Sequence, residues 1–202
     1  MRTAIITGAS SGLGLECARA LLRSDPSMHV VLAVRDTGRG AEAVKQLGEP
    51  QRCTVMRMDL ASLTSVRAEQ SADDGRRRYT TSKLCNMLFT YELDRRLDHG
   101  VTVNAFDPGL MPGSGLARDY PPLQRLVWRY VLPALRVLPG VRSTHTSGRY
   151  LAALTNDARF DGVGGEYFDG LRPIRSSADS YDRDKALDLW ETSERLLTHA
   201  TK

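Results

Sequence analysis

A tyrosine and a lysine four residues apart, Tyr79 and Lys83 in Tyr79-Thr80-Thr81-Ser82-Lys83, could between them move a proton. On a helix, positions i and i+4 share one face. A phenol is a poor acid at its ordinary pKa of about 10, but a neighbouring ammonium favours the phenolate and lowers that value. Such a pair can give a proton to a substrate oxygen, or take one, while a cofactor moves a hydride. Alone, the spacing is common and describes a solvated helix pair. It gains weight from a second motif near the start of the chain.

That motif is Thr7-Gly8-Ala9-Ser10-Ser11-Gly12-Leu13-Gly14. It follows a short apolar run, Ala4-Ile5-Ile6, and opens onto a helical pattern from Leu15 to Leu22. The order strand, glycine turn, helix is one that binds phosphates. First-turn N–H groups have no partner inside the helix, and the helix dipole favours an anion there. Glycines let the backbone approach a pyrophosphate and let the helix pack close to the sheet. Gly8, Ser10, Ser11, Gly12, Leu13 and Gly14 are therefore candidate nucleotide-binding residues. The spacing is G-x-x-x-G-x-G rather than G-x-G-x-x-G, and a plain glycine-rich turn is the alternative.

The elements that must position these residues alternate. A helix over Leu13–Ser24 ends before Asp25-Pro26, as proline requires. His29–Val34 reads as a strand buried on both faces. A short helix over Arg39–Leu47 is closed by Gly48, and Cys53–Met58 is a third strand, leading to Asp59-Leu60. Alternation of this kind predicts an α/β fold, a Rossmann-like doubly wound parallel sheet with ligands at the carboxyl ends of its strands. Arg35 stands just past the second strand, where an arginine suits the 2′-phosphate of NADP and an acid the 2′-hydroxyl of NAD. Arg35 predicts NADP(H); Asp36 beside it could hold the ribose instead, or the two could be a solvated strand-end pair.

The 202 residues suffice for one domain with a proper core. A net charge of +4 suits an anionic cofactor and is too mild for a nucleic-acid protein. Cys17, Cys53 and Cys85 are scattered and odd in number, which predicts a reducing cytoplasm and no disulfide framework. The first strand begins at once, so no signal peptide is expected. No apolar run has the length of a membrane span, and no cluster has metal-ligand spacing.

Taken together, TGASSGLG, Asp59-Leu60, YTTSK and Asp107-Pro108-Gly109 resemble the short-chain dehydrogenase/reductase superfamily. The wording of TGASSGLGL, Thr54–Val66 and Ser82–Leu93 is similar to the branch that holds the light-dependent protochlorophyllide reductases and related bacterial reductases. The resemblance implies that Tyr79 is the general acid and that Lys83 bonds the nicotinamide ribose and tunes the tyrosine. It implies that Ser10, Ser11 and Leu13 line the phosphate and ribose groove. Asp59 and Leu60 would sit by the adenine, and Pro108, Gly109 and Leu110 would bracket the nicotinamide carboxamide. Cys85 matches a cysteine linked to the pigment site of that branch. It lies roughly 200° round the helix from Lys83, and a core thiol is the commoner role of a free cysteine.

One departure matters. Between Asp59 and Tyr79 the family carries a fourth strand, a helix and a fifth strand bearing the catalytic serine. Leu63–Gln70 reads as the start of a helix only, and the junction at 71–78 is polar and short. A strand–helix–strand unit needs roughly 30 or more residues. The expected sheet therefore lacks strand 4, its helix and strand 5. Omission from a longer protein, deletion in the gene and an engineered join are three origins for the gap. If the deletion is real, the expected sheet order is 3-2-1-6-7, with Tyr79 displaced.

After the junction a long helix is expected over Thr80–His99, then a strand over Val101–Phe106, and a polar loop over Arg172–Ser180. An amphipathic helix over Lys185–Leu197, with Leu187, Leu189, Trp190 and Leu197 apolar, would cover the domain or a partner subunit. Residues 110–140 correspond to a substrate lid. Its apolar character suits a bulky hydrophobic substrate or a membrane surface, and equally ordinary packing. The function expected is NADP(H)-dependent reduction of a carbonyl or conjugated double bond of a small apolar substrate. The alternative is a non-catalytic nucleotide-binding remnant of such an enzyme. Homo-oligomerisation and peripheral membrane contact are open partner classes.

Overall fold

Met28–Val34 (β2), the most apolar run of the first half, is the middle of three parallel strands. It pairs on one side with Arg2–Thr7 (β1), Ile5 facing Val31, and on the other with Cys53–Arg57 (β3), Val31 facing Thr54. The computed structural model describes residues 2–58, 75–97, 100–112 and 140–200, with the backbone alone at 75–79 and 196–200. The chain divides into two compact units, Met1–Asp59 with Pro108–Phe160 and Leu60–Asp107 with Asp161–Lys202.

In the first unit, one face of the sheet carries the core. Val30, Leu32 and Val34 pack with Leu15, Ala18, Leu21 and Leu22 of Gly12–Ser24 (α1) and Ala43 of Thr37–Leu47 (α2). Full burial of each large aliphatic side chain contributes about 1.5–3 kcal/mol. Both crossovers between parallel strands, β1-α1-β2 and β2-α2-β3, follow from the alternation read in the sequence. Gly48 ends α2 in the left-handed conformation at φ +76°, as a glycine at that place should. Thr144–Asn156 (α4) is capped by Ser143, whose Oγ accepts from Thr146 N at 3.0 Å. It lies against α1 so closely that a Cβ on Gly148 would meet the Glu16 carbonyl carbon at 2.7 Å and Cys17 N at 2.8 Å. Cys17 is buried here, and burial pushes its thiol up to about 11.

The second unit is built on Gly75–Arg96 (α3). The helix starts four residues ahead of Tyr79, so the second half of the expected 71–78 junction is helical in backbone. Leu88, Tyr91 and Glu92 are its buried positions. Glu92 is held by Arg95 Nη2 at 2.7 Å and Arg96 Nε at 2.6 Å, which is what allows a carboxylate to be buried. Ala105–Asp107 (β4) pairs parallel with Tyr167–Asp169 (β5), and β5 pairs antiparallel with Arg172–Ile174 (β6).

Three expectations are corrected here. The strand expected over Val101–Phe106 shortens to Ala105–Asp107, because Val103 and Asn104 spend their polar groups elsewhere. Val103 N donates to Asp94 Oδ1 at 3.1 Å, and the Asn104 side chain bonds Val163 O and Glu166 N. The loop expected from Arg172 begins instead with β6, an exposed edge strand that tolerates Pro173 because its outer N–H has no ladder partner to lose. In Arg183–Ala200 (α5) Leu187 is exposed and Ala186 is the buried residue. Trp190 stacks on Phe89 with ring centroids 5.4 Å apart, and the Arg96 guanidinium lies 4.6 Å over it.

The Gly148 contact is testable. Gly148→Ala should force α1 and α4 apart and cost about 1–3 kcal/mol. The expected readout is a lower urea midpoint at unchanged m-value; an unchanged midpoint would show that the helices separate freely.

Candidate cofactor site

The loop after β1 is fixed at both ends. Gly8 N donates to Ala33 O of β2 at 3.0 Å, which lays the turn across the carboxyl ends of two neighbouring strands. Ala9 is fully buried and anchors the loop, while Ser10 and Leu13 are half-buried and Ser11 and Gly12 exposed. Gly8 and Gly12 stand at φ +65° and +59°, a region open to glycine and costly for other residues. Among the described residues, nothing lies within 4 Å of where a Cβ would stand on either. Gly14 differs: a Cβ there would meet Gly8 O at 2.9 Å and the Ala9 Cα at 3.1 Å. Each glycine thus has its own reason, two for the turn and one for the approach of helix to loop.

The N-terminus of α1 is left open. Ser11 occupies the cap position in extended conformation, yet its side chain makes no capping hydrogen bond, and the first turn holds no acid. The first-turn donors therefore lack a side-chain acceptor, beside the open space at Gly8 and Gly12. An anion fits that position by charge and by shape.

At the end of β2 the two candidate residues part company. Asp36 caps α2, its Oδ1 accepting from Gly38 N at 2.9 Å and Arg39 N at 3.1 Å. Arg35 is exposed and makes no hydrogen bond or ion pair among the described residues. Arg39, in the first turn of α2, is exposed as well; the sequence reading passed over it because only the residue abutting the strand was weighed. Its signal was its place three residues into a capped helix.

Pro108, Gly109 and Leu110 belong to the same unit as the loop. The buried Ser147 of α4 donates from Oγ to Pro108 O at 2.8 Å. Leu110 N donates to Gly140 O at 2.9 Å, Arg142 N to Leu110 O at 2.8 Å, and Leu110 bridges Val141. Gly109, at φ +73°, admits the Gly140 carbonyl, which a Cβ would meet at 2.6 Å. The segment is therefore held through α4 to the flank of α1.

Tyr79 and Lys83 share the continuous helix α3 of the second unit, at i and i+4; Lys83 is exposed. The expectations for Asp59 and Leu60 lie outside the described residues, as does the lid after Pro112 and before Gly140. Cys85 is half-buried. Among the described residues no group of three His, Cys, Asp or Glu could hold a metal, and no helix is long and apolar enough to cross a membrane.

The family model for short chain dehydrogenases matches residues 2–74. The WW domain-containing oxidoreductase of Gallus gallus is 37% identical over 120 residues, 59% of this chain and 27% of that protein. The matched stretch is thus about a quarter of that relative's length. Protochlorophyllide reductase of Avena sativa is 25% identical over 314 positions, which take in 96% of this chain and 98% of that one. Set against 202 residues, 314 positions leave at least 112 with no residue in this chain, ample for the absent strand–helix–strand segment. Among solved structures, actinorhodin polyketide ketoreductase with NADPH aligns at TM-score 0.64 and 17% identity over 84% of this chain and 97% of its own. L-sorbose reductase of Gluconobacter frateurii aligns at TM-score 0.59 and 19% identity over 84% and 95%. The glycine turn, the 3-2-1 parallel sheet and these likenesses agree: residues 2–74 match the short chain dehydrogenase family, and the chain shares the fold of the reductases it aligns with.

Proposed function

We propose that this protein is an NADP(H)-dependent reductase of the cytoplasm, acting on a carbonyl or conjugated double bond of a small apolar substrate. The observation that carries the reading is the division of labour after β2: Asp36 is committed to capping α2, and Arg35 stands free at the strand end. A free guanidinium suits a 2′-phosphate, which it can grip by two parallel hydrogen bonds. Arg39 stands near enough in sequence to share that charge. The open first turn of α1 takes the pyrophosphate, with Gly8, Ser10, Ser11, Gly12, Leu13 and Gly14 around it. Pro108, Gly109 and Leu110 hold the carboxamide end. Bound nicotinamide supplies the hydride. Tyr79 then gives its phenolic proton to the substrate oxygen or carbon, and Lys83, one turn on, favours the phenolate left behind.

A second reading has its own observation. The strand that bears the family's serine falls in the absent segment, and catalysis is sensitive to displacements of about 1 Å. On that reading the chain binds the nucleotide and turns nothing over.

Three measurements separate these readings. NADPH should bind more tightly than NADH, and Arg35→Ala should weaken NADPH roughly 10- to 100-fold, the loss of charge-assisted hydrogen bonds, while sparing NADH. Equal affinity of the parent protein for both would remove Arg35 from the site. Asp36→Asn preserves a good cap and should leave both affinities unchanged; selective loss of NADH would return Asp36 to the ribose. Tyr79→Phe should abolish turnover of a carbonyl substrate and spare NADPH binding. Turnover unaffected by Tyr79→Phe would exclude it as the acid, and no turnover in the parent protein would favour the remnant.

A further inference from the structure

We infer that the cleft between α1 and α4 is a second anion site, built for a phosphoryl group and separate from the glycine loop. Four cationic or donor side chains face it: Arg19 and Arg23 from α1, His145 and Arg149 from α4. Each pair is spaced i and i+4, so each lies along one face of its own helix. The close crossing at Gly148, next to Arg149, brings the two faces together. The cleft holds about 310 Å³ and runs on past Arg149 into a pocket of about 340 Å³ with Ala152 and Ala153 along it.

The charges are not neutralised from within. Arg19 is fixed by Gln46 O at 2.9 Å and by Glu16 at 3.5 Å. Arg23, His145 and Arg149 make no hydrogen bond or ion pair among the described residues. Some arginines elsewhere are paired, Arg52 with Glu49 and Leu22 O, Arg95 and Arg96 with Glu92, Arg159 with Asp157, while others such as Arg35 are not. Like charges four apart on a helix repel, and here the pair Arg19 and Arg23 shares one cleft with Arg149 of the facing helix, with Glu16 as the acid in its lining. A dianion between the helices relieves that repulsion, and guanidinium forks match the geometry of phosphate oxygens. The adjoining pocket, where Ala20, Ala152 and Ala153 stand among Ser24, Asn156 and Asp157, has room for the body of a phosphate monoester, whether a soluble metabolite or a lipid headgroup. Arg23 lies eleven residues beyond Gly12, roughly 16 Å along α1, so this cleft is not the cofactor's pyrophosphate position.

The test uses the full chain saturated with NADPH, so that the glycine loop is filled, or without it should NADPH fail to bind. Inorganic phosphate is titrated by calorimetry and by thermal shift at low salt, into the parent protein, the Arg23→Gln/Arg149→Gln double variant and Arg35→Ala. Phosphate should bind the parent and Arg35→Ala alike, and the double variant should lose at least tenfold in affinity. In parallel, flotation with phosphatidylcholine vesicles with and without phosphatidic acid separates the sources. Capture by phosphatidic acid alone, lost in the double variant, assigns the lipid headgroup; phosphate binding without capture assigns a soluble ligand. Equal phosphate affinity in the parent and the double variant overturns the site, as does no binding of phosphate or vesicles by the parent. A lowered melting temperature in the double variant with no change in ligand shift also overturns it, leaving Arg23 as a partner of the helix dipole.

Discussion

The approach of Gly14 to Gly8 sets the geometry of the first unit. With no Cβ at position 14, the start of α1 sits within van der Waals reach of the Gly8 carbonyl and the Ala9 backbone. That contact aims the helix N-terminus across the end of β1, and the Gly8–Ala33 hydrogen bond ties the same turn to β2. Everything later in the unit depends on where α1 then lies. Leu15, Ala18, Leu21 and Leu22 reach the sheet because the helix is close, and α4 can lie on its other flank through Gly148. Through Ser147, α4 in turn holds Pro108 O. A chain of short contacts thus connects the glycine turn to the Pro108–Leu110 segment, with no long side chain as intermediary.

How much of this could be read beforehand follows from the range of the interactions involved. The first crossovers were legible because their signals are local: an apolar run, a glycine turn, a helix period and a capping residue within a few positions of each other. The cap on α4 and the glycine closing α2 were legible for the same reason. The length of β4 was not, because Asp94, Val163 and Glu166 decide it and they are distant in sequence. Leu187 shows the same limit: a helix period tells which residues share a face, but not that Ala186 is buried while Leu187 is exposed, which the packing of distant elements decides. At the candidate site, the glycine roles were legible, and the ambiguity between Arg35 and Asp36 was not. Both residues suit a ribose by type; only the two backbone hydrogen bonds into Asp36 show that one of them is already employed.

The absent segment has a visible physical counterpart on β1. In the doubly wound order that strand is central, with neighbours on both sides. Here it stands at the end of the 3-2-1 sheet, and among the described residues it pairs with β2 alone. Ala4 and Ile6 pack on the core side, while Ile5, on the opposite face, is 63% exposed. Two of the other three edges of the described sheets are defended. β6 carries Pro173 and Arg172, and β3 is flanked by Arg52 and ends in Arg57. Past Arg2, β1 has only Thr3, Ala4, Ile5, Ile6 and Thr7, with no proline and no further charge.

An edge without proline, bulge or inward charge is a template for pairing with another strand. Selection leaves such a sequence undefended where a neighbour covers it in the folded state, since a charge or a proline there would cost stability in a buried ladder. The composition of β1 is therefore that of an interior strand, although among the described residues it stands at an edge. The glycine turn that follows does not share the problem, because its contacts run to β2 and α1 and none of them needs a strand on the far side of β1. The geometry of the glycine turn and the completion of the sheet are thus separable: the first rests on contacts within the described residues, the second on a neighbour that the described residues do not supply.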